Sequence, residues 1–118
     1  MSTNSCYNFM KTLTEELTQS FDKQYESMED FARWNLSEEI ALEWIDAQGI
    51  IEIISKDTSV SIDLVNTLIH IKNNFIKAFE NNYDVWTYDA MKESDFWNSQ
   101  RILAEKALKF FSQTINDL

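Results

Sequence analysis

Apolar residues recur at intervals of three and four along most of this chain, the spacing that lines one face of an α-helix. From Cys6 they fall at Met10, Leu13, Leu17 and Phe21, so a first helix is expected to run to about Gln24 with Ser5 or Asn4 as its cap. Ser27 and Asp30 have the spacing of a weak capping box and open a short segment with Met28, Phe31 and Trp34 turned inward. Asn35-Leu36-Ser37 reads as a break. Ser37 caps the next start, with Glu38 and Glu39 in the first turn, where the helix dipole favours negative charge, and with Ile40, Ala41, Trp44 and Ile45 as its apolar stripe.

Residues 50–54, with four isoleucines around Glu52, fit either a buried strand or a helix core. A lone strand has no partner elsewhere in the sequence, and Ile50, Ile51 and Ile54 extend the preceding stripe if Gly49 is tolerated at a cost of about 1 kcal/mol. A helix is therefore expected there. Residues 56–59 form a turn, and Ser61 caps a long helix that turns Leu64, Val65, Leu68, Ile71, Phe75, Ile76 and Phe79 inward and ends at Asn81-Asn82. A short helix over 85–92 follows. Ser94 then caps a last one with Phe96, Leu103, Ala107, Phe110 and Phe111 inside. Each stripe needs another to cover it, so the expected architecture is all-α, a single-domain compact bundle of about five to six helices over residues 1–118.

Composition supports that reading. With no proline and one glycine, the 118 residues lack what hairpin turns and bulges require. Sixteen aromatic residues (four Trp, four Tyr, eight Phe) set the chain apart from disordered acidic sequences. The lone Cys6 excludes a disulfide framework and a multi-cysteine zinc site, and the polar start of the chain does not read as a signal peptide. The longest apolar run is broken by Glu52, far short of a membrane span. A cytoplasmic protein without a membrane segment is expected.

Charge changes the picture most. Residues 1–63 hold thirteen Asp/Glu against four Lys/Arg, a net −9, while residues 64–118 are nearly balanced at −1. A field of one sign selects a basic partner and speeds its encounter, although acidity also serves solubility alone. The same field repels phosphate backbones and anionic lipid, so neither nucleic acid nor membrane is expected as a partner.

Catalytic chemistry is sparse. His70, the only histidine, lies in an apolar run and reads as structural; Cys6 has no positive neighbour in sequence to make it a thiolate; one glycine cannot build a phosphate loop. The one enzymatic alternative rests on carboxylates. Glu43 and Asp46 stand one turn apart, and with Glu15 and Glu16 on the earlier helix they could converge on magnesium. Their spacing, with Lys72-Asn73 further on, resembles the all-α nucleoside triphosphate pyrophosphohydrolases that include the dimeric dUTPases. That family's motif pairs Glu-x-x-Glu with Glu-x-x-Asp, and here Gln19 stands where the partner acid of Glu16 belongs. The resemblance would imply a magnesium-dependent enzyme.

A second resemblance rests on two stretches of the chain. Val85-Trp86-Thr87-Tyr88-Asp89-Ala90-Met91, Trp97, Arg101-Ile102-Leu103-Ala104 and Ala107-Leu108, with the earlier run from Ser37 to Glu43, resemble small helical bacterial immunity proteins of polymorphic and contact-dependent growth inhibition toxin systems. The same residues can also be read as core, with Trp86 and Trp97 packing the last helix down and Arg101 tying a helix to a nearby carboxylate. The resemblance implies a non-enzymatic protein without cofactor or metal. It would bind and neutralise a cognate basic toxin, of which many are nucleases, with its acids in place of the phosphate backbone. Glu29, Asp30, Glu38, Glu39, Glu43 and Asp46 are the expected partner-binding residues, read from charge density because the pattern itself carries none over. An acidic decoy of the phage type, blocking a DNA-binding enzyme, shares the same field. Monomer and dimer stay open.

Overall fold

In a computed structural model, which describes residues 2–28 and 35–117, the helical periodicity is realised as seven α-helices and no strand among the described residues. They are α1 (Thr3–Thr18), α2 (Phe21–Ser27), α3 (Leu36–Asp46), α4 (Gln48–Ser55), α5 (Ile62–Glu80), α6 (Tyr88–Glu93) and α7 (Asp95–Asp117). The long helices α1, α5 and α7 form the frame, α7 packing against both α1 and α5, while α4 closes between α1 and α5 and α3 lies on α5. The radius of gyration, 14.1 Å, is near the ~13.5 Å of a compact chain this long, so the chain forms one body.

Local chemistry accounts for where the elements differ from the periodicity. The expected first helix is two. α1 begins earlier, with the Ser2 hydroxyl accepting from the Ser5 amide, and stops at Gln19 because the Ser20 backbone turns extended and its hydroxyl caps α2. Ser27 ends α2 rather than opening a new segment, and Phe31 and Trp34 lie outside the described residues. Asn35, not Ser37, occupies the N-cap of α3. Ser37 instead donates at 2.9 Å to the Trp86 carbonyl, tying α3 to the loop before α6. The isoleucine run is helical, but Ala47 breaks it from α3, so Ile51 and Ile54 face the core from a separate helix. Ser61 caps α5 as expected, and Thr87 rather than an earlier residue caps α6.

The core is one cluster. Leu64, Leu68, Ile71 and Phe75 of α5 meet Met10, Leu13 and Leu17 of α1, Trp44 of α3, Ile51 and Ile54 of α4 and Ala104, Ala107 and Phe111 of α7. Cys6 is buried in it, a small core residue. Several polar groups that enter the core find partners there. Tyr7 donates to the Phe111 carbonyl at 2.7 Å and its ring meets Phe111 edge-on. Gln100 donates to the Ile71 carbonyl and accepts from Asn74. Trp97, fully buried, donates to the Val85 carbonyl at 2.8 Å, and Trp86 stacks on Phe79 at 4.3 Å. The two tryptophans thus fasten the loop before α6 to the frame. Tyr25 is half-buried against Phe21 and Tyr88.

Arg101 departs from expectation. Among the described residues it binds no carboxylate; its fork reaches the Met91 carbonyl (2.6 Å), the Gln19 carbonyl (3.2 Å) and the Gln24 side-chain oxygen (3.2 Å). One guanidinium therefore joins the end of α1, α2 and α6 to α7, which suits a planar donor with five N–H groups. Burial lowers its pKa, the direction in which desolvation moves a cation.

Candidate functional site: an acidic cleft between α1 and α3

α1 and α3 find their main packing partners elsewhere, and the space left between them is a cleft. Its inner part is a cavity of about 150 Å³ with walls of Leu13, Leu17, Met28, Ile40 and Trp44 and with Glu16, Gln24, Ser27 and Glu43 at its polar side. A shallower groove continues from it along α1, past Thr12, Phe9, Asn8 and Ser5. Leu13, Glu16 and Glu43 belong to both hollows. The two carboxylates thus stand where the open groove meets the inner cavity.

Why acids end up there follows from helix geometry. Glu16 follows Leu13 by three and precedes Leu17 by one, so it borders the buried stripe of α1; Glu43 precedes the fully buried Trp44 and borders the stripe of α3 in the same way. The result is electrostatically costly. Partial burial, and then the charges of Glu16 and Glu39, push the Glu43 carboxyl up to about 7. Glu16 is raised by its own burial and by Glu15. Burial and the neighbouring charges of Glu16 and Glu39 thus act together to favour the protonated form of Glu43. Among the described residues, each influence on Glu43 raises it.

The polar wall divides into satisfied and unsatisfied groups. Gln24 is buried and fully engaged, donating to the Glu16 carbonyl at 3.2 Å and accepting from Arg101. Ser27 donates to the Gln24 carbonyl. Trp44 is 0% exposed, and its indole N–H is the one buried side-chain polar atom among the described residues with no partner. An unpaired buried donor costs about 1–3 kcal/mol, and this one is sealed behind the wall, with no surface open to the cavity.

Of the residues expected to bind a partner, Glu38 and Glu39 lie half-buried in the first turn of α3, Glu43 lines the cavity and Asp46 is exposed at the helix end. Glu29 and Asp30 lie outside the described residues. Leu42, 43% exposed, shares one side of α3 with Glu38 and Asp46, and Phe9, also 43% exposed, edges the groove on α1. Glu16, drawn only into the carboxylate alternative by the sequence, is the acid that actually meets Glu43, whereas Trp44 read simply as core.

For the metal-dependent alternative, the structure joins Glu16 to Glu43, but among the described residues no three His, Cys, Asp or Glu side chains gather as ligands. Lys72 is buried and donates to the Gln48 side chain, tying α5 to α4, and Asn73 is exposed. His70 is exposed as well. No described helix is long and apolar enough to cross a membrane. Comparison with protein-family models, curated proteins and solved structures gave no match for this chain.

Proposed function

We propose that this protein binds and neutralises a basic protein, in the manner of a toxin immunity protein, through the acidic cleft and the exposed side of α3. The observation that carries the reading is the gathering of Glu16, Glu39 and Glu43 about the cleft, where partial burial first and like charge second push the Glu43 carboxyl up to about 7. A positively charged surface brought against it would relieve that repulsion on binding, so the strain in the free protein becomes affinity in the complex. Phe9 and Leu42 supply the apolar contacts that an interface needs beside its charges. A nuclease toxin is the partner class this chemistry fits best, since its cleft is basic to receive phosphate. On this reading the action is stoichiometric, without cofactor or catalysis, and takes place in the cytoplasm.

The test is co-expression with a panel of nuclease toxins, toxin genes neighbouring this one foremost. Cell survival together with a co-purifying complex supports the reading; failure of both across neighbouring toxins refutes it. Glu38, Glu39 and Glu43 changed together to Gln should slow association with the cognate toxin and flatten its salt dependence, and unchanged kinetics would remove these acids from the interface.

The meeting of Glu16 and Glu43 also favours a second reading, a magnesium-dependent nucleoside triphosphate pyrophosphohydrolase. Pyrophosphate release from a nucleotide panel with magnesium, abolished by Glu43→Gln, would support it against the first.

A further inference from the structure

A second hollow, of about 420 Å³, opens where the junction of α1 and α2 approaches α6 and α7, and it shares no residue with the acidic cleft. Ser20, Phe21, Asp22, Lys92, Asn98 and Arg101 line it. In a chain with twenty Asp and Glu against ten Lys and Arg, a base rarely lacks a carboxylate at hand. Among the described residues, neither Lys92 nor Arg101 pairs with one.

Lys92 holds its ammonium over the Phe21 ring, 4.8 Å from the centroid. Arg101 gives one N–H from each nitrogen to the Gln19 and Met91 carbonyls and the Gln24 side-chain oxygen, all neutral, and keeps two of its five N–H groups. Its desolvation is therefore met by dipoles and by no counter-charge. Ser20 accepts from the Lys23 amide, which leaves its own O–H to donate, and the exposed Asn98 side chain is uncommitted among the described residues. The hollow thus gathers two cations and two neutral donors.

Occupants differ in how much of this set they use. Water brings no charge. Chloride brings charge but offers a fork of N–H groups no pair of oxygens to engage. A carboxylate has two oxygens in one plane, whereas the donors come from three elements, the α1–α2 junction, α6 and α7. A phosphate group carries a charge of about −1.5 to −2 near neutral pH and turns three or more oxygens in tetrahedral directions. Arginine engages such oxygens in pairs and lysine serves beside it as a point charge.

We infer that the hollow between α2, α6 and α7 is a binding site for a small phosphate, free or as a monoester, held by Lys92 and Arg101 with Ser20 and Asn98 as further donors. The inference goes beyond the protein-partner reading and uses none of its residues. Asp22 stands in the same hollow and opposes an anion, so the affinity is modest and removal of its charge raises it.

The experiment is a titration of the isotopically labelled protein with sodium phosphate at fixed pH, ionic strength being held constant with sodium chloride. The Asn98 side-chain amide and Arg101 Nε–H signals are followed. A saturable movement with a dissociation constant on the order of millimolar is expected. Arg101 itself is left intact because it joins α1, α2 and α6 to α7. Lys92→Gln should weaken phosphate about tenfold, the value of one charge-assisted hydrogen bond, and Asp22→Asn should tighten it about threefold. Lys109→Gln, about two turns along α7 from Arg101, should leave binding unchanged.

Signals that respond equally to chloride, undiminished binding in Lys92→Gln, or weaker binding in Asp22→Asn each overturns the inference. Glycerol 3-phosphate, titrated in parallel, distinguishes the source: tighter binding than inorganic phosphate assigns the site to a monoester, and weaker binding to the free ion. Toxin neutralisation is measured on other residues, so either reading can fail while the other stands.

Discussion

Replacing Glu43 with glutamine should stabilise the protein, and only at pH values where Glu43 is charged. Its carboxyl ordinarily titrates near 4.5 and in the fold is pushed up to about 7, by burial first and then by Glu16 and Glu39. For a group sealed from water that interval corresponds to about 3 kcal/mol. Glu43 is only half-buried, and solvent screening reduces the figure to roughly 1–2 kcal/mol. The sign follows from linkage. With a folded pKa above the unfolded one, the protonated group imposes no penalty below about pH 4.5, and stability is lost as pH rises through about 7.

Glutamine keeps the shape and removes the charge. Glu43→Gln should match the wild type near pH 4.5 and exceed it by about 1–2 kcal/mol at pH 8, raising the melting temperature by roughly 4–8 °C for a domain of this length. Urea denaturation of both proteins by circular dichroism at pH 4.5, 6, 7 and 8 measures this, the difference between them isolating Glu43 from the other titrating acids. In a Glu16→Gln background the gain should shrink, since Glu16 supplies part of the repulsion. A difference that does not change with pH, or a variant less stable at pH 8, would refute the account of the cleft as a site of like-charge strain.

Three further substitutions probe the frame around the cleft. Arg101→Lys should cost about 2–4 kcal/mol in urea denaturation, because an ammonium cannot reach the Gln19 and Met91 carbonyls and the Gln24 side chain together; a loss under 1 kcal/mol would contradict the role of the fork. Trp97→Phe should cost about 1–3 kcal/mol from the lost bond to Val85 and the smaller ring, and near-neutrality would show the bond unimportant. Gly49→Ala should stabilise by about 0.5–1 kcal/mol, since an added Cβ meets no atom within 4 Å; destabilisation would mean the first turn of α4 needs glycine.

What the sequence makes legible here is what one-dimensional spacing controls. The stripes of α1, α3, α5 and α7 follow from apolar periodicity, and Trp44, Leu68, Ile71, Phe75, Ala107 and Phe111 are buried as that periodicity requires. Helix breaks were harder to read, because Ser20 and Ala47 end helices inside runs whose apolar spacing continues across them. Ser37 has the chemistry of a cap but its hydroxyl is claimed by Trp86, a residue 49 positions away. Arg101 looks as though it wants a carboxylate and instead collects carbonyls from the end of α1 and from α6, which only the tertiary fold brings together. The cleft was half legible. Glu43 stands out from charge density on α3, but its pairing with Glu16 depends on how α1 and α3 are spaced across the cavity, which periodicity does not encode.

Two polar systems meet at the wall of this cleft, and they respond to perturbation in opposite ways. The Arg101–Gln24 system is paired at each contact named above, so any change there removes bonds and lowers stability without offering anything to a basic partner. Glu16 and Glu43 instead face each other with like charge, a cost present in the free protein that a basic partner would relieve on the reading proposed above. Glu43→Gln should therefore separate stability from affinity. It should make the free protein more stable above pH 7, and if the cleft takes a basic partner as proposed, weaken that complex, whose formation by the wild type should drive the Glu43 proton into solvent. Calorimetry of the complex near pH 7 in buffers of different ionisation enthalpy reads that proton directly. A release of a fraction of one proton, absent in Glu43→Gln, is the expected result, and equal release by both proteins would place the partner's charge elsewhere.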